Sequence, residues 1–283
     1  MTQPTFAKEH PRDSMIRVDR LPHIWCPSCG LGEVANCFVK AVEKSKTTLD
    51  KHVVVSGIGC TGRMAGYINL DSYHTTHGRP IAFATGLKLA NLELEVSVIS
   101  GDGDLVTIGG NHLIHAARRN IDINVIMVNN FNYGMTGGQF GGTTPVGAKT
   151  TTTPYGNYEQ AFNMPYLMKA SGASYVARWT NLHIRQFEES IEKAFEVDGF
   201  AFIELVAPCY RGFGRKNRFR EEIDLMKYFE EMSFLDQDID LALADLNMKP
   251  EERLVVGEFT NEEKPSYHKI KSRILKNILG GPK

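Results

Sequence analysis

The strongest constraint on the fold is a spacing. Gly101-Asp102-Gly103 is followed, 25 residues later, by Asn129-Asn130. That interval fits one strand–loop–helix–strand unit. Val96 to Ser100 reads as a short buried strand, Leu105 to Arg119 carries a helical pattern, and Ile121 to Val128 is again apolar and β-branched. Such a unit places both motifs at the carboxyl ends of parallel strands, where open α/β sheets bind ligands. Glycines on both sides of Asp102 let the backbone approach a bulky anion, and the helix that follows offers unpaired N–H groups to phosphate. A carboxylate with amide or carbonyl oxygens is a hard-oxygen set for Mg²⁺ that also holds phosphate oxygens. The pair therefore reads as a Mg²⁺–diphosphate cradle.

The rest of the chain extends the alternation. Leu31 to about Lys46 reads as a helix with Leu31, Val34, Ala35, Phe38 and Val42 on one face. His52 to Ser56 reads as a strand ending in the turn Gly57-Ile58-Gly59-Cys60, residues 72–80 as a polar loop, and Ile81 to about Asn91 as a small-residue helix. Residues 131–156 are rich in Gly and Thr and too long for a plain connector, which marks a functional loop. Helices over Asn157–Ala170 and His183–Asp198, and strands over Tyr175–Arg178 and Ala201–Val206, complete the pattern. Strand alternating with helix predicts an α/β fold, a doubly wound, mostly parallel sheet. Residues 1–22 read as a loose arm and residues 23–210 as the central domain. Residues 211–283, where the pattern degrades, read as a C-terminal extension with a basic stretch, mixed helix and a Lys-rich tail.

The 283 residues, 42% of them apolar, suffice for one large α/β core. A net charge of −1 gives no support to nucleic-acid binding. No apolar run approaches the roughly 18 residues of a membrane span. Met1 to Arg20 has no apolar signal core, so a soluble, cytoplasmic protein is the expectation. Five cysteines in such a protein point to metal or catalysis before disulfides. Cys26-Pro-Ser-Cys29 precedes a helix, Cys60 follows one strand and Cys209 follows another, all at element ends. Four thiolates there would suit Zn²⁺ or an iron–sulfur cluster, with ordinary buried thiols as the plain alternative. One local pair plus two distant single cysteines is more typical of a 4Fe–4S cluster. Cys37, inside the first helix, reads as a small core residue.

Together these residues resemble the thiamine-diphosphate-binding β subunit of the 2-oxoacid:ferredoxin oxidoreductases, over roughly residues 21–210. The resemblance rests on Trp25-Cys26-Pro27-Ser28-Cys29-Gly30, Gly57-Ile58-Gly59-Cys60, His77-Gly78-Arg79, Gly101-Asp102-Gly103, the run Asn129 to Gln139, and Pro208-Cys209. Its details favour the branch acting on 2-oxoglutarate. The resemblance implies thiamine diphosphate, Mg²⁺ and one 4Fe–4S cluster as cofactors. It implies Cys26, Cys29, Cys60 and Cys209 as cluster ligands. It implies the Asp102 carboxylate, the Asn130 side chain and the Asn132 carbonyl as Mg²⁺ ligands. Gly59, Cys60, His77, Gly101, Gly103, Asp104, Gly134, Met135 and Thr136 would line the cofactor site. The implied reaction converts a 2-oxo acid, coenzyme A and oxidised ferredoxin to an acyl-CoA, CO₂ and reduced ferredoxin, or the reverse. The activating glutamate of such enzymes has no counterpart here, Glu33 reading only as a first-turn helix residue. The resemblance therefore implies an α subunit that supplies it, in an α/β pair or heterotetramer.

Arg63 and His77 are the candidates for substrate contact. A guanidinium holds a carboxylate bidentately and keeps its charge, which suits a dicarboxylate; a surface or subunit ion pair is the plain reading. His77, and less so His74, would hydrogen-bond substrate or diphosphate, or serve as satisfied loop histidines. Arg79 reads equally as an ion pair. His112 and His115 read as packing or surface residues. Gly109-Gly110, costly inside a helix, implies close approach by a cofactor or another backbone. Arg211, Arg215, Lys216, Arg218 and Arg220 would attract an acidic ferredoxin or coenzyme A phosphates, a solvated surface being the plain alternative. The rival readings are the same chemistry on pyruvate or another 2-oxo acid, a non-redox thiamine enzyme with inert cysteines, and a zinc-stabilised interaction subunit.

Overall fold

The computed structural model describes residues 11–246 and 253–279. In chain order the elements are α1 (Leu31–Lys44), β1 (His52–Ser56), α2 (Met64–Tyr67), β2 (Asp71–His74), α3 (Pro80–Ala90) and β3 (Glu95–Gly101). A π-helical turn over Gly103–Ile108 leads into α4 (Gly110–Arg118) and β4 (Asn124–Asn129). Then come α5 (Met164–Ser171), β5 (Tyr175–Thr180), α6 (Ile184–Ala194), β6 (Ala201–Val206), α7 (Glu222–Met232), β7 (Ser233–Leu235), β8 (Leu254–Asn261) and α8 (Tyr267–Leu279). The strands form one sheet in the order β2-β1-β3-β4-β6-β5-β8-β7, parallel at every junction except β5–β8.

Strand alternation feeds two cores. Val54, Ile126 and Val128 face one side with α1 and α6, while Val53, Val55, Val125 and Met127 face the other with α3, α4 and α5. A parallel sheet needs both faces covered, and the near-continuous Val/Ile strands supply both at once. The chain runs outward from β1 to β2 and then returns to place β3 on the other side of β1. The topological switch point, where such sheets open a crevice, thus lies between β1 and β3. The turns Gly57–Cys60 and Gly101–Gly103 flank it.

Several elements depart from the sequence reading. The helix over Leu105–Arg119 is split at Gly109, where a Cβ would lie 2.6 Å from the Asp104 carbonyl and 2.9 Å from that of Gly78. The close approach implied by Gly109-Gly110 is therefore by backbone. The helix over Asn157–Ala170 begins only at Met164. Asn157 donates to the Thr144 and Glu159 carbonyls, each at 2.8 Å, which fixes a loop, and Asn163 caps the helix by accepting from the Tyr166 N–H at 3.3 Å. The polar loop over 72–80 starts as strand β2, a short exposed edge. Residues 11–22 of the expected arm are docked: Arg17 donates to the Ile68 and Leu70 carbonyls, both at 3.0 Å. Residues 1–10 lie outside the described residues. The region after Cys209 returns to the sheet as β7 and β8.

His52 opens β1 fully buried, its ring centroid 5.2 Å from that of Phe195. Burial pushes the imidazole below its ordinary value. The unfolded chain then binds a proton that the fold refuses, so this contribution to stability is complete above about pH 6.5 and is lost as pH falls from there through the lowered folded value. Thermal melts from pH 7.5 to 5 should therefore fall less steeply for His52→Phe than for the unaltered chain. Identical slopes would assign the acid sensitivity to other groups.

Candidate functional site

A cleft opens at the carboxyl ends of β1, β3 and β4, walled by Ile58–Thr61, His77, Gly101–Asp104, Asn130 and Asn132–Thr136. Asp102, just past β3, is 1% exposed. Its Oδ2 accepts from the Thr143 hydroxyl and its Oδ1 from the Asn130 N–H at 3.4 Å. Burial outweighs these bonds and pushes the carboxyl up to about 6. One arm of the Asn130 amide lies 3.1 Å from Asp102 Oδ1, 3.3 Å from Asn132 Oδ1 and 2.5 Å from the Asn132 carbonyl oxygen. With nitrogen in that arm the amide donates to them. With oxygen there, carboxylate, amide and carbonyl oxygens converge in the kind of set that suits a hard cation. Two more atoms of cleft residues, Thr61 Oγ1 and Asn132 Nδ2, are buried without a partner among the described residues. Buried polar atoms are rarely left so. The donor set fits a Mg²⁺–diphosphate group.

Gly103 lines the cleft and has a packing duty as well: a Cβ there would lie 2.6 Å from the Tyr133 ring. Asp104, implied as a cofactor contact, spends both oxygens on the chain. Its Oδ1 accepts from His77 Nδ1 at 2.5 Å and from the N–H groups of Gly78 at 2.7 Å and Ile58 at 3.2 Å, and its Oδ2 from the Ser100 hydroxyl at 2.8 Å. One buried carboxylate thus ties together three walls of the cleft. An ionised carboxylate only accepts, so the His77 proton sits on Nδ1 and Nε2 is left for the cleft. Thr143 and Tyr133 were missed as individual site residues, although both lie in the Gly/Thr-rich loop singled out by its length.

The four cysteines of the sequence reading come together beside this cleft, all as free thiols. Burial, and then neighbouring sulfurs, push the thiols of Cys29, Cys60 and Cys209 up, Cys60 to about 11. A zinc tetrahedron places sulfurs about 3.8 Å apart, from Zn–S bonds of about 2.3 Å. Among the described residues no three of these sulfurs lie within 4.8 Å of one another. The Gly212 N–H donates to Cys209 Sγ at 3.2 Å, the kind of bond that tunes a cluster's potential. Cleft and thiols touch: Cys60 belongs to both, and a Cβ on Gly134 would lie 3.6 Å from Cys209 Sγ. Cys37 is buried in the core.

Arg63 lies three residues beyond Cys60, partly buried, its guanidinium 5.7 Å from the Tyr67 ring centroid. It is not in the cleft wall, and among the described residues it has no ion pair. Met135 and Thr136 lie on the exposed rim, Thr136 donating its hydroxyl to Gln139 at 2.6 Å. His74 ends β2, with Nε2 3.6 Å from where a Cβ on Gly62 would sit. His112 and His115 lie on α4, outside the cleft wall. Arg215 stacks over Tyr210 at 5.3 Å, just beyond Cys209.

A switch-point cleft with a cation-and-phosphate donor set defines a diphosphate-cofactor α/β protein, and residues 57–205 match the family of thiamine pyrophosphate enzymes, C-terminal TPP binding domain. The chain is 51% identical over 262 residues to the 2-oxoglutarate synthase subunit KorB of Methanothermobacter marburgensis, covering 92% of this chain and 90% of that one. It is 48% identical over 270 residues to the subunit of that name from Methanocaldococcus jannaschii, covering 95% and 98%. Among solved structures it is similar to the 2-oxoglutarate:ferredoxin oxidoreductase from Magnetococcus marinus with 2-oxoglutarate, coenzyme A and succinyl-CoA bound. That match has a TM-score of 0.80 and 31% identity, and covers 92% of this chain and 88% of the other. The chain belongs to the 2-oxoacid:ferredoxin oxidoreductase β subunits. No described helix is long and apolar enough to cross a membrane.

Proposed function

We propose that this chain is the β subunit of an enzyme that oxidatively decarboxylates 2-oxoglutarate with coenzyme A, giving succinyl-CoA and CO₂, and passes the electrons through one 4Fe–4S cluster to ferredoxin. The observation that carries this reading is that the hard-oxygen set and the thiol set meet at one turn, Gly59-Cys60. Bound thiamine diphosphate supplies the electron sink for loss of CO₂. The chain's own part is to hold the diphosphate through Mg²⁺ on Asp102, Asn130 and the Asn132 carbonyl, and to hold the cluster on Cys26, Cys29, Cys60 and Cys209. His77 Nε2 faces the bound cofactor as a hydrogen-bonding group. The names of the KorB relatives and the ligands of the Magnetococcus enzyme support 2-oxoglutarate over pyruvate.

The acids in the cleft wall are Asp102 and Asp104, with no glutamate among its described residues. As the family resemblance implies, the activating glutamate comes from an α subunit, and the chain alone does not turn over. The exposed α8, with Lys269, Lys271, Arg273 and Lys276 and no acidic residue, belongs to the subunit-contacting extension. The basic residues after Cys209 face ferredoxin or coenzyme A. Anaerobic analysis of the α/β complex tests the whole reading: roughly four iron and four sulfide per chain, the content of one cubane, and bound thiamine are expected. A colourless zinc protein would overturn it, as would full oxidative decarboxylation by the isolated chain.

Arg63 is the proposed anchor for the distal carboxylate. A charge-assisted hydrogen bond to a charged group is worth roughly 1.5–3 kcal/mol, about tenfold to a hundredfold in kcat/KM. Arg63→Ala should lose that much toward 2-oxoglutarate and little toward a monocarboxylic 2-oxo acid. Equal losses on both substrates would remove Arg63 from specificity.

A further inference from the structure

Behind the oxygen set lies a charge pair outside the cleft wall. Arg178 on β5 and Glu204 on β6 stand opposite each other in register, both fully buried, with Arg178 Nε 2.6 Å from Glu204 Oε2. Arg178 Nη1 donates to the Ala244 carbonyl at 2.7 Å. Packed apolar side chains serve stability at least as well as a buried ion pair, so the pair calls for another reason. Its remaining oxygen supplies one. Glu204 Oε1 accepts from Asn129 Nδ2 at 2.7 Å. A carboxylate only accepts, so it dictates which way the Asn129 amide faces and leaves Oδ1 pointing the other way. That Oδ1 accepts from the Phe131 N–H at 3.3 Å. Phe131 has φ +64°, a left-handed conformation that a bulky side chain adopts only when its surroundings impose it. It lies between Asn130, whose amide lies 3.1 Å from Asp102 Oδ1, and Asn132, whose carbonyl oxygen lies 2.5 Å from that same amide.

We propose that Glu204 and Arg178, acting through Asn129, are positioning residues for the cation-binding turn. Arg178 supplies the countercharge and Glu204 orients the amide. Asn129 holds Phe131 left-handed, and the turn presents the Asn130 and Asn132 oxygens together. Two adjacent asparagines thus divide the labour, one facing the ion and the other facing the scaffold. The proposal rests on the reading of Asp102, Asn130 and Asn132 as the cation site.

The test is thiamine diphosphate binding to the cofactor-stripped α/β complex, followed by calorimetry across a Mg²⁺ series. Asn129→Ala and Glu204→Gln should each raise the Mg²⁺ needed for half-maximal binding about tenfold to a hundredfold, the usual cost of losing an outer-shell partner. Saturating Mg²⁺ should restore the affinity, which a generally weakened fold would not allow. The double variant should be no worse than the poorer single one, because the residues act in series. Asn129→Ala leaves the ion pair intact and carries the test alone if Glu204→Gln does not fold. An unchanged Mg²⁺ requirement in Asn129→Ala, or additive effects in the double variant, overturns the proposal. Asn130→Ala separates the two ideas: if it leaves the Mg²⁺ requirement untouched, the cation-site reading fails and the proposal falls with it. If it abolishes Mg²⁺-dependent binding while Asn129→Ala changes nothing, only the proposal fails.

Discussion

Cys60→Ala in the assembled α/β complex is expected to abolish iron binding and ferredoxin reduction while leaving thiamine diphosphate bound. The separation follows from how Cys60 is used. Its backbone belongs to the cleft wall, and its carbonyl accepts from the Trp25 indole N–H at 2.8 Å, a bond that alanine keeps. Its sulfur is the part shared with Cys26, Cys29 and Cys209. Three thiolates do not complete the ligation of a cubane, so the brown chromophore and its iron should go together. Cys37→Ala is the contrasting variant. That sulfur is buried in the core, so its loss should lower the melting temperature slightly and leave the iron untouched. A Cys60→Ala complex with full iron would sink the ligand assignment.

Asp102→Asn should weaken Mg²⁺-dependent thiamine diphosphate binding by about a hundredfold or more, since a ligand matters at least as much as an outer-shell partner. The same change should stabilise the cofactor-free protein. Burial raises the Asp102 carboxyl from the ordinary 3.8 to about 6, on the order of 3 kcal/mol against the ionised form. The unfolded acid ionises first as pH climbs, so the fold loses stability between about pH 4 and pH 6 and carries the full cost at pH 7. Asparagine removes the charge and keeps an oxygen to accept from the Asn130 N–H. The melting temperature of the cofactor-free variant should therefore exceed that of the unaltered chain at pH 7, and the gap should close below about pH 4. If the variant still binds thiamine diphosphate through Mg²⁺, Asp102 is no ligand. If it melts lower at pH 7, the buried-charge argument is wrong.

The cleft was legible in the sequence because its parts are local. Glycine-flanked Asp102 and the paired asparagines sit at fixed distances from strong Val/Ile strands, and those strands form as read. The convergence of Cys26, Cys29, Cys60 and Cys209 was legible because each thiol lies at an element end, and the parallel sheet stacks those ends in one layer. Residues whose duty depends on distant partners were not legible. Asp104 lines the cleft, but nothing in its local sequence announces that Ser100, Ile58, His77 and Gly78 all bond to it. Asn129 and Asn130 are identical on paper, and only the strand geometry sends the first to Glu204 and the second toward Asp102. The final strands were hidden for another reason. β7 has three residues and β8 pairs antiparallel across a register shift near Val176, so neither shows the periodicity of an interior strand.

The two ends of the sheet bear on how this chain behaves in a crowded solution. Its outermost strands are β2, with four largely exposed residues beginning at Asp71, and the three-residue β7. The segments with the greatest tendency to stack into fibres, Val96–Ile99 and Val125–Val128, are paired on both flanks. Short or charged borders give an incoming strand little to template on. Native molecules should therefore associate through helices and loops, and precipitation on heating should track global unfolding instead of edge-to-edge growth of the folded form.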